Sequence, residues 1–230
     1  MKPLIFLAGV AAVAGCAAGF PNPTVPTGLR PLPAADARMW ARSTLPAKWI
    51  LIRFSWRKRD SDGSNGGRGA IWFYPPDSLQ VHVLASLGLF RGDAAVVGDS
   101  ALWAEPKEHV ERLVPSYQLL WAMIGVARPP GQGWIAESRQ DTKSTSVLYT
   151  RASDTVRYVS IRAGEPRLET YVVVSGRPIG QSWTYYDQFR HLLRARLQVL
   201  TSPVLLDITF DSTTKQVSAD KESWNATSDH

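Results

Sequence analysis

Cysteine is almost missing from this chain: Cys16 is the only one among 230 residues, so no internal disulfide can form. Histidine is scarce too. The four, at 82, 109, 191 and 230, nowhere pair at metal-ligand spacing, so no local zinc motif exists. Neither a G-x-S-x-G nucleophile elbow nor a P-loop occurs. With no convergent nucleophile and base in view, catalysis is the least favoured class of function, and no cofactor is expected. Long apolar runs are lacking as well. The stretch from Pro3 to Val13 falls short of the roughly 20 residues a membrane-spanning helix needs. Charge runs are lacking except for Arg57-Lys58-Arg59, which a solvated strand end explains. The formal charge of +6 and pI near 9.6 are therefore dispersed. That pattern suits contact with anionic headgroups or acidic polymers and argues against nucleic acid as a partner.

What is present begins at the start. Met1-Lys2, the short apolar run and Val13-Ala14-Gly15-Cys16 read as an export signal ending in a lipobox. Residues 1–15 would be the signal peptide, and the Cys16 thiol would be lipidated. Two or more acyl chains would then hold the protein on a bilayer. An ordinary export signal with a chance cysteine at its end is the alternative.

Residues 16–33 form a linker carrying Pro21, Pro23, Pro26, Pro31 and Pro33, which should be extended and semi-rigid. Residues 34–42 suit a short helix. Over residues 48–57 the pattern switches to period two. Ile50, Ile52, Phe54 and Trp56 share one face, as in a half-buried antiparallel strand. Residues 60–67, rich in Asp, Gly, Ser and Asn, read as a flexible turn. Its carboxylates at Asp60 and Asp62 fit a calcium loop poorly, because Asn65 stands at the glycine position and Ile71 at the bidentate glutamate position. Further strands are expected at 68–74, ended by Pro75-Pro76, at 79–83, and more weakly near 94–97 and 101–104.

One strong internal helix follows. Ser116 suits an N-cap, Tyr117, Leu120, Trp121 and Ile124 recur at helical spacing, and Gly125 is a natural stop. Leu119 and Met123 make its other side apolar, so it must be buried or must cover something apolar. Strands are then expected at 134–137, 146–151, 156–162, 168–175, 183–187, 192–200 and 204–211. An amphipathic helix is a rival over 188–200. The chain past Ser212 is polar and should fray, and Asn225-Ala226-Thr227 matches a glycosylation sequon that carries no meaning in a bacterial lipoprotein. The fold class is mainly β, a curved antiparallel sheet with one apolar helix set midway. Its folded domain covers 34–215, with a polar tail over 216–230.

Nine tryptophans are a heavy load for this length. Phe54, Trp56, Trp72, Trp103 and Trp121 suit either an apolar cavity or a closed core.

Residues 78–133 resemble the LolA/LolB superfamily of bacterial lipoprotein carriers, closest to LolB-type outer-membrane lipoproteins. The residues are Pro76-Asp77-Ser78-Leu79-Gln80-Val81-His82-Val83, Ser86-Leu87-Gly88, the run from Asp99 to Trp103, and Pro115-Ser116-Tyr117-Gln118-Leu119-Leu120-Trp121-Ala122-Met123-Ile124-Gly125. The resemblance implies a half-open β-barrel closed by a short helical lid, with an interior that takes acyl chains of lipid or lipoprotein cargo. It implies that Ile52, Phe54, Trp56, Trp72, Trp103, Leu120, Trp121 and Ile124 line that interior. It also implies that Leu89 and Phe90 form a membrane-insertion loop. Ala17 stands after the cysteine instead of the Asp that retains many lipoproteins in the inner membrane, which points to the periplasmic face of the outer membrane. The alternative is a structural or assembly lipoprotein with a closed core and an envelope protein partner.

Overall fold

The structure, a computed structural model, describes residues 26–86, 91–105 and 114–215. Among the described residues, two helices and thirteen strands run in the order β1 (Arg30–Pro31), α1 (Ala34–Arg42), β2 (Ile50–Asp60), β3 (Gly63–Tyr74), β4 (Ser78–Ala85), β5 (Arg91–Val97), β6 (Ser100–Glu105), α2 (Tyr117–Met123), β7 (Ile135–Gln140), β8 (Ser144–Arg151), β9 (Asp154–Ile161), β10 (Arg167–Val174), β11 (Arg177–Tyr186), β12 (Leu192–Val199) and β13 (Val204–Lys215). All thirteen strands belong to one antiparallel sheet, ordered β1-β7-β8-β9-β10-β11-β12-β13-β2-β3-β4-β5-β6. β1 and β6 are left as edges, so the sheet is a curved half-open barrel and does not close on itself.

The topology dictates where α2 must lie. β6 is one edge of the sheet, and β7, the next strand in sequence, lies beside the opposite edge strand β1, so α2 falls between the two ends of the sheet order. α2 packs on β10, β11 and β12. Period-two alternation turns Ile52, Phe54, Ile71, Phe73, Leu79 and Val96 from β2–β5 into the core, and Val147, Val156, Leu168, Val172 and Leu197 from β8–β12 meet them there.

Local chemistry explains the ends of α2. Ser116 is extended, and its hydroxyl accepts from the Gln118 N–H at 3.2 Å, satisfying one orphan donor of the first turn. Gly125, at φ +81°, takes the left-handed conformation that lets the chain leave the helix.

Four expectations differ from the structure. Residues 63–67 are not a flexible turn but the first half of β3, paired with Trp56 to Asp60 across a turn only at Ser61 and Asp62. The glycines are there for close approach: a Cβ on Gly66 would fall 2.6 Å from the Trp56 carbonyl oxygen, and one on Gly67 1.8 Å from that of Leu84. The rival helix over 188–200 is absent, because β12 pairs on both sides, with β11 and β13. The linker also docks before its expected end, since Arg30 and Pro31 pair with Ser138 and Glu137. Likewise Ser212–Thr214, expected to fray, stay in β13 against β2, past a bulge after Phe210.

Candidate functional site

An apolar cavity of about 140 Å³ lies between α2 and the inner face of β2–β5 and β13. The inner faces align by register. Phe54 stands opposite Gly69 and Phe210, and Trp56 opposite Gly67 and Ile208, so large rings on β2 face glycines on β3. Ile71 and Val81 continue this wall across β3 and β4. α2 contributes the face that does not pack on β10–β12, through Leu120, Met123 and Ile124. At one end Lys58 joins the lining, with its ammonium ion-paired to Asp60. Asp93 touches the lining too, but its carboxylate is engaged by His82 and by Arg91.

The helix and the chain just past it are held by β11 and by the turn after α1. The buried Thr184 hydroxyl donates to the Ala122 carbonyl at 2.6 Å, and the Tyr186 hydroxyl to that of Gly125 at 3.1 Å. The Ala127 N–H donates to the Thr44 hydroxyl at 2.9 Å. Burial pushes the Tyr186 phenol up to about 12, so it stays a donor at any ordinary pH.

Phe54, Trp56, Leu120 and Ile124 thus come together around one cavity. Ile52 and Trp121 are sealed in the core without reaching it. Trp72 is on the outer face of β3, edge-on to His82 with ring centroids 5.0 Å apart. The alternation along β3 explains this, since Ile71 and Phe73 take the inner positions. Trp103 is placed in β6, opposite Ala95. Cys16, Leu89 and Phe90 lie outside the described residues.

Much of the lining is aliphatic, beyond the rings that stand out in the sequence. Val81 and Val83 on β4 and Leu206 and Ile208 on β13 belong to alternating patterns that mark an inner face. What a sequence does not carry is the pairing of β13 with β2, which brings Leu206 and Ile208 beside Lys58 and Trp56. Among the described residues no group of three or more His, Cys, Asp or Glu could hold a metal ion.

No protein-family model matches the chain, and no curated protein sequence does. Solved structures match. The chain is similar to a LolA superfamily protein from Nitrosomonas europaea, with a TM-score of 0.54 at 11% identity over 81% of this chain and 94% of that one. An outer membrane lipoprotein-sorting protein domain from Vibrio parahaemolyticus gives a TM-score of 0.37 at 8% identity, over 83% of this chain and 94% of that one, too distant to argue from. The first likeness is one of fold: the half-open sheet with its crossing helix is LolA/LolB-like.

Proposed function

We propose that this protein is a binding protein of the bacterial cell envelope that shelters acyl chains, of a lipid or of a lipoprotein, in the cavity beneath α2. The observation that carries this is a predominantly apolar recess built into the open side of a LolA/LolB-like sheet, under a helix that supplies one of its walls. Removal of methylenes from water would drive the binding, with no bond made or broken.

The size of the recess sets the limits. At about 140 Å³ it is close to the ~150 Å³ cavity that holds one benzene, and below the ~300 Å³ where ligand pockets begin. As it stands it takes the end of a chain. Some six carbons at about 0.8 kcal/mol each give roughly 5 kcal/mol before ordering costs. A whole acyl chain requires α2 to lift from β2–β5 while its other face stays on β10–β12. The proposal places Cys16 as the acylated anchor at the outer membrane and Leu89 and Phe90 as residues that enter the bilayer during transfer. Lipoprotein localisation is the process such a receptor would serve.

The same small volume favours a second function, that of a closed-core envelope lipoprotein acting through a protein partner. The test uses the full-length chain carrying Cys16→Ser, purified without detergent. Mass spectrometry of its organic extract should find phospholipid or acylated peptide in stoichiometric amount, or the empty protein should take up cis-parinaric acid. An empty extract together with no uptake would leave the closed-core function.

A further inference from the structure

A larger recess lies elsewhere. About 660 Å³ in volume, it sits between α1, the Pro76-Asp77 turn and the 126–136 stretch, and it shares no lining residue with the cavity under α2. This volume is within the range of small-molecule sites. Its floor is apolar, with Ala37 and Ala41 from the buried face of α1 meeting Leu45 and Val126.

Three cations line it: Arg38 and Arg42, one turn apart on α1, and Arg128. Arg128 is partly neutralised by Asp99 at 3.0 Å, but among the described residues Arg38 and Arg42 have no ion-pair partner. Among the described residues, Asp77 is the one carboxylate in the lining. Tyr149 also lines the recess. It is 3% exposed, and its hydroxyl is buried with no hydrogen-bond partner. The neighbouring Tyr158, its ring centroid 6.2 Å away, shows the ordinary solution: its hydroxyl donates to the Arg128 carbonyl at 2.6 Å. An unpaired buried hydroxyl costs about 1–3 kcal/mol, so Tyr149 is a donor waiting for an acceptor.

We propose that this recess is a second binding site, for an anionic amphiphile whose carboxylate or phosphate head meets Arg38, Arg42 and the Tyr149 hydroxyl while its apolar body lies on the alanine face of α1. Arginine pairs such anions by charge-assisted hydrogen bonds. Burial pushes the Tyr149 phenol up to about 12, so it remains protonated and donates to an anion across the physiological range. The site stands whether or not the cavity under α2 holds a chain.

The experiment is calorimetric titration of the full-length chain carrying Cys16→Ser with octyl phosphate and octanoate, below their aggregation concentrations. One site is expected for at least one of them. Arg38→Glu with Arg42→Glu should weaken it by about tenfold or more. Tyr149→Phe should weaken it by roughly threefold to tenfold while leaving the melting temperature equal or higher, because it deletes an unpaired hydroxyl. Leu120→Trp, which fills the other cavity, should leave it unchanged. Absence of binding by the unsubstituted protein, equal binding of octanol or of inorganic phosphate, or unchanged affinity in the double arginine variant would overturn the site. Loss of binding in Leu120→Trp instead would assign the uptake to the cavity under α2 and equally overturn it.

Discussion

The indole N–H of Trp121 donates to the carbonyl oxygen of Gly98 at 2.8 Å, tying α2 to the turn between β5 and β6. The same ring stands edge-on to Phe73 at 5.7 Å and lies under the Arg128 guanidinium at 5.4 Å. Trp121 is thus the clasp of the helix on the side that must open. Trp121→Phe keeps an aromatic ring but leaves the buried Gly98 carbonyl without its donor. It should lower unfolding free energy by about 1–3 kcal/mol in urea melts. Since this bond breaks when α2 lifts, cis-parinaric acid should also enter faster in stopped-flow fluorescence. Unchanged uptake kinetics with reduced stability would mean that α2 does not move at that end.

Gly69 is the counterpart of Phe54. A Cβ there would come within 2.4 Å of the Phe54 Cζ and 2.7 Å of the His82 carbonyl oxygen. The ring can turn, but the backbone of β4 can yield only by distorting a paired strand. Gly69→Ala should therefore cost about 1–3 kcal/mol, despite alanine's smaller backbone entropy loss. A melting curve matching the unsubstituted protein would show that the strands relax freely here.

How far the sequence showed this architecture differs between its parts. The strand set, α1 and the Ser116-capped helix could be read because alternation, capping and a terminal glycine are local signals. Burial of α2 on both sides followed from its having no polar face. The glycines at 66 and 67 misled because turn composition and close interstrand packing use the same residue. For the site, Phe54, Trp56, Leu120 and Ile124 could be grouped by face. The true position of Trp72 depended on counting the β3 alternation from Ile71, and the part of Leu206 and Ile208 on a non-local pairing. Tyr149 had no signal at all, since an unpartnered hydroxyl exists only in three dimensions.

Where β13 meets β2, Asp207 bridges three strands. It accepts from Arg196 on β12 and Arg59 on β2, each at 2.6 Å. Burial pushes its carboxyl up, but the hydrogen bonds from Arg196 and Arg59 outweigh this and hold it below the ordinary carboxylate value. The folded state then binds its proton less readily than the unfolded chain, whose value is about 3.9. Its contribution to stability is complete above that value and is lost as pH falls through the lower folded value. Arg59 is exposed and Arg196 is partly so, so solvent screening leaves the interaction worth only about 1 kcal/mol. Asp207→Asn should be less stable by about that amount at pH 7, with the two proteins converging in thermal melts as pH falls through the lowered folded value. A gap that persists at acid pH would assign the loss to packing instead of charge.

The cavity under α2 offers opposite substitutions on its two walls. Leu120→Trp adds volume from the helix side and should abolish uptake of cis-parinaric acid. Its stability should change by no more than about 1–3 kcal/mol, because the extra atoms enter empty space before they strain the core. Phe54→Ala removes a ring from the sheet side and costs about 3–5 kcal/mol, since the rigid sheet cannot collapse into the gap. The same substitution enlarges a recess that is too short for a full chain, so longer fatty acids should bind it better than they bind the unsubstituted protein. Opposite responses from one helix residue and one strand residue would locate the chain between them. If both variants bind as the unsubstituted protein does, the ligand lies elsewhere, and the cavity is a packing gap in a core that works closed.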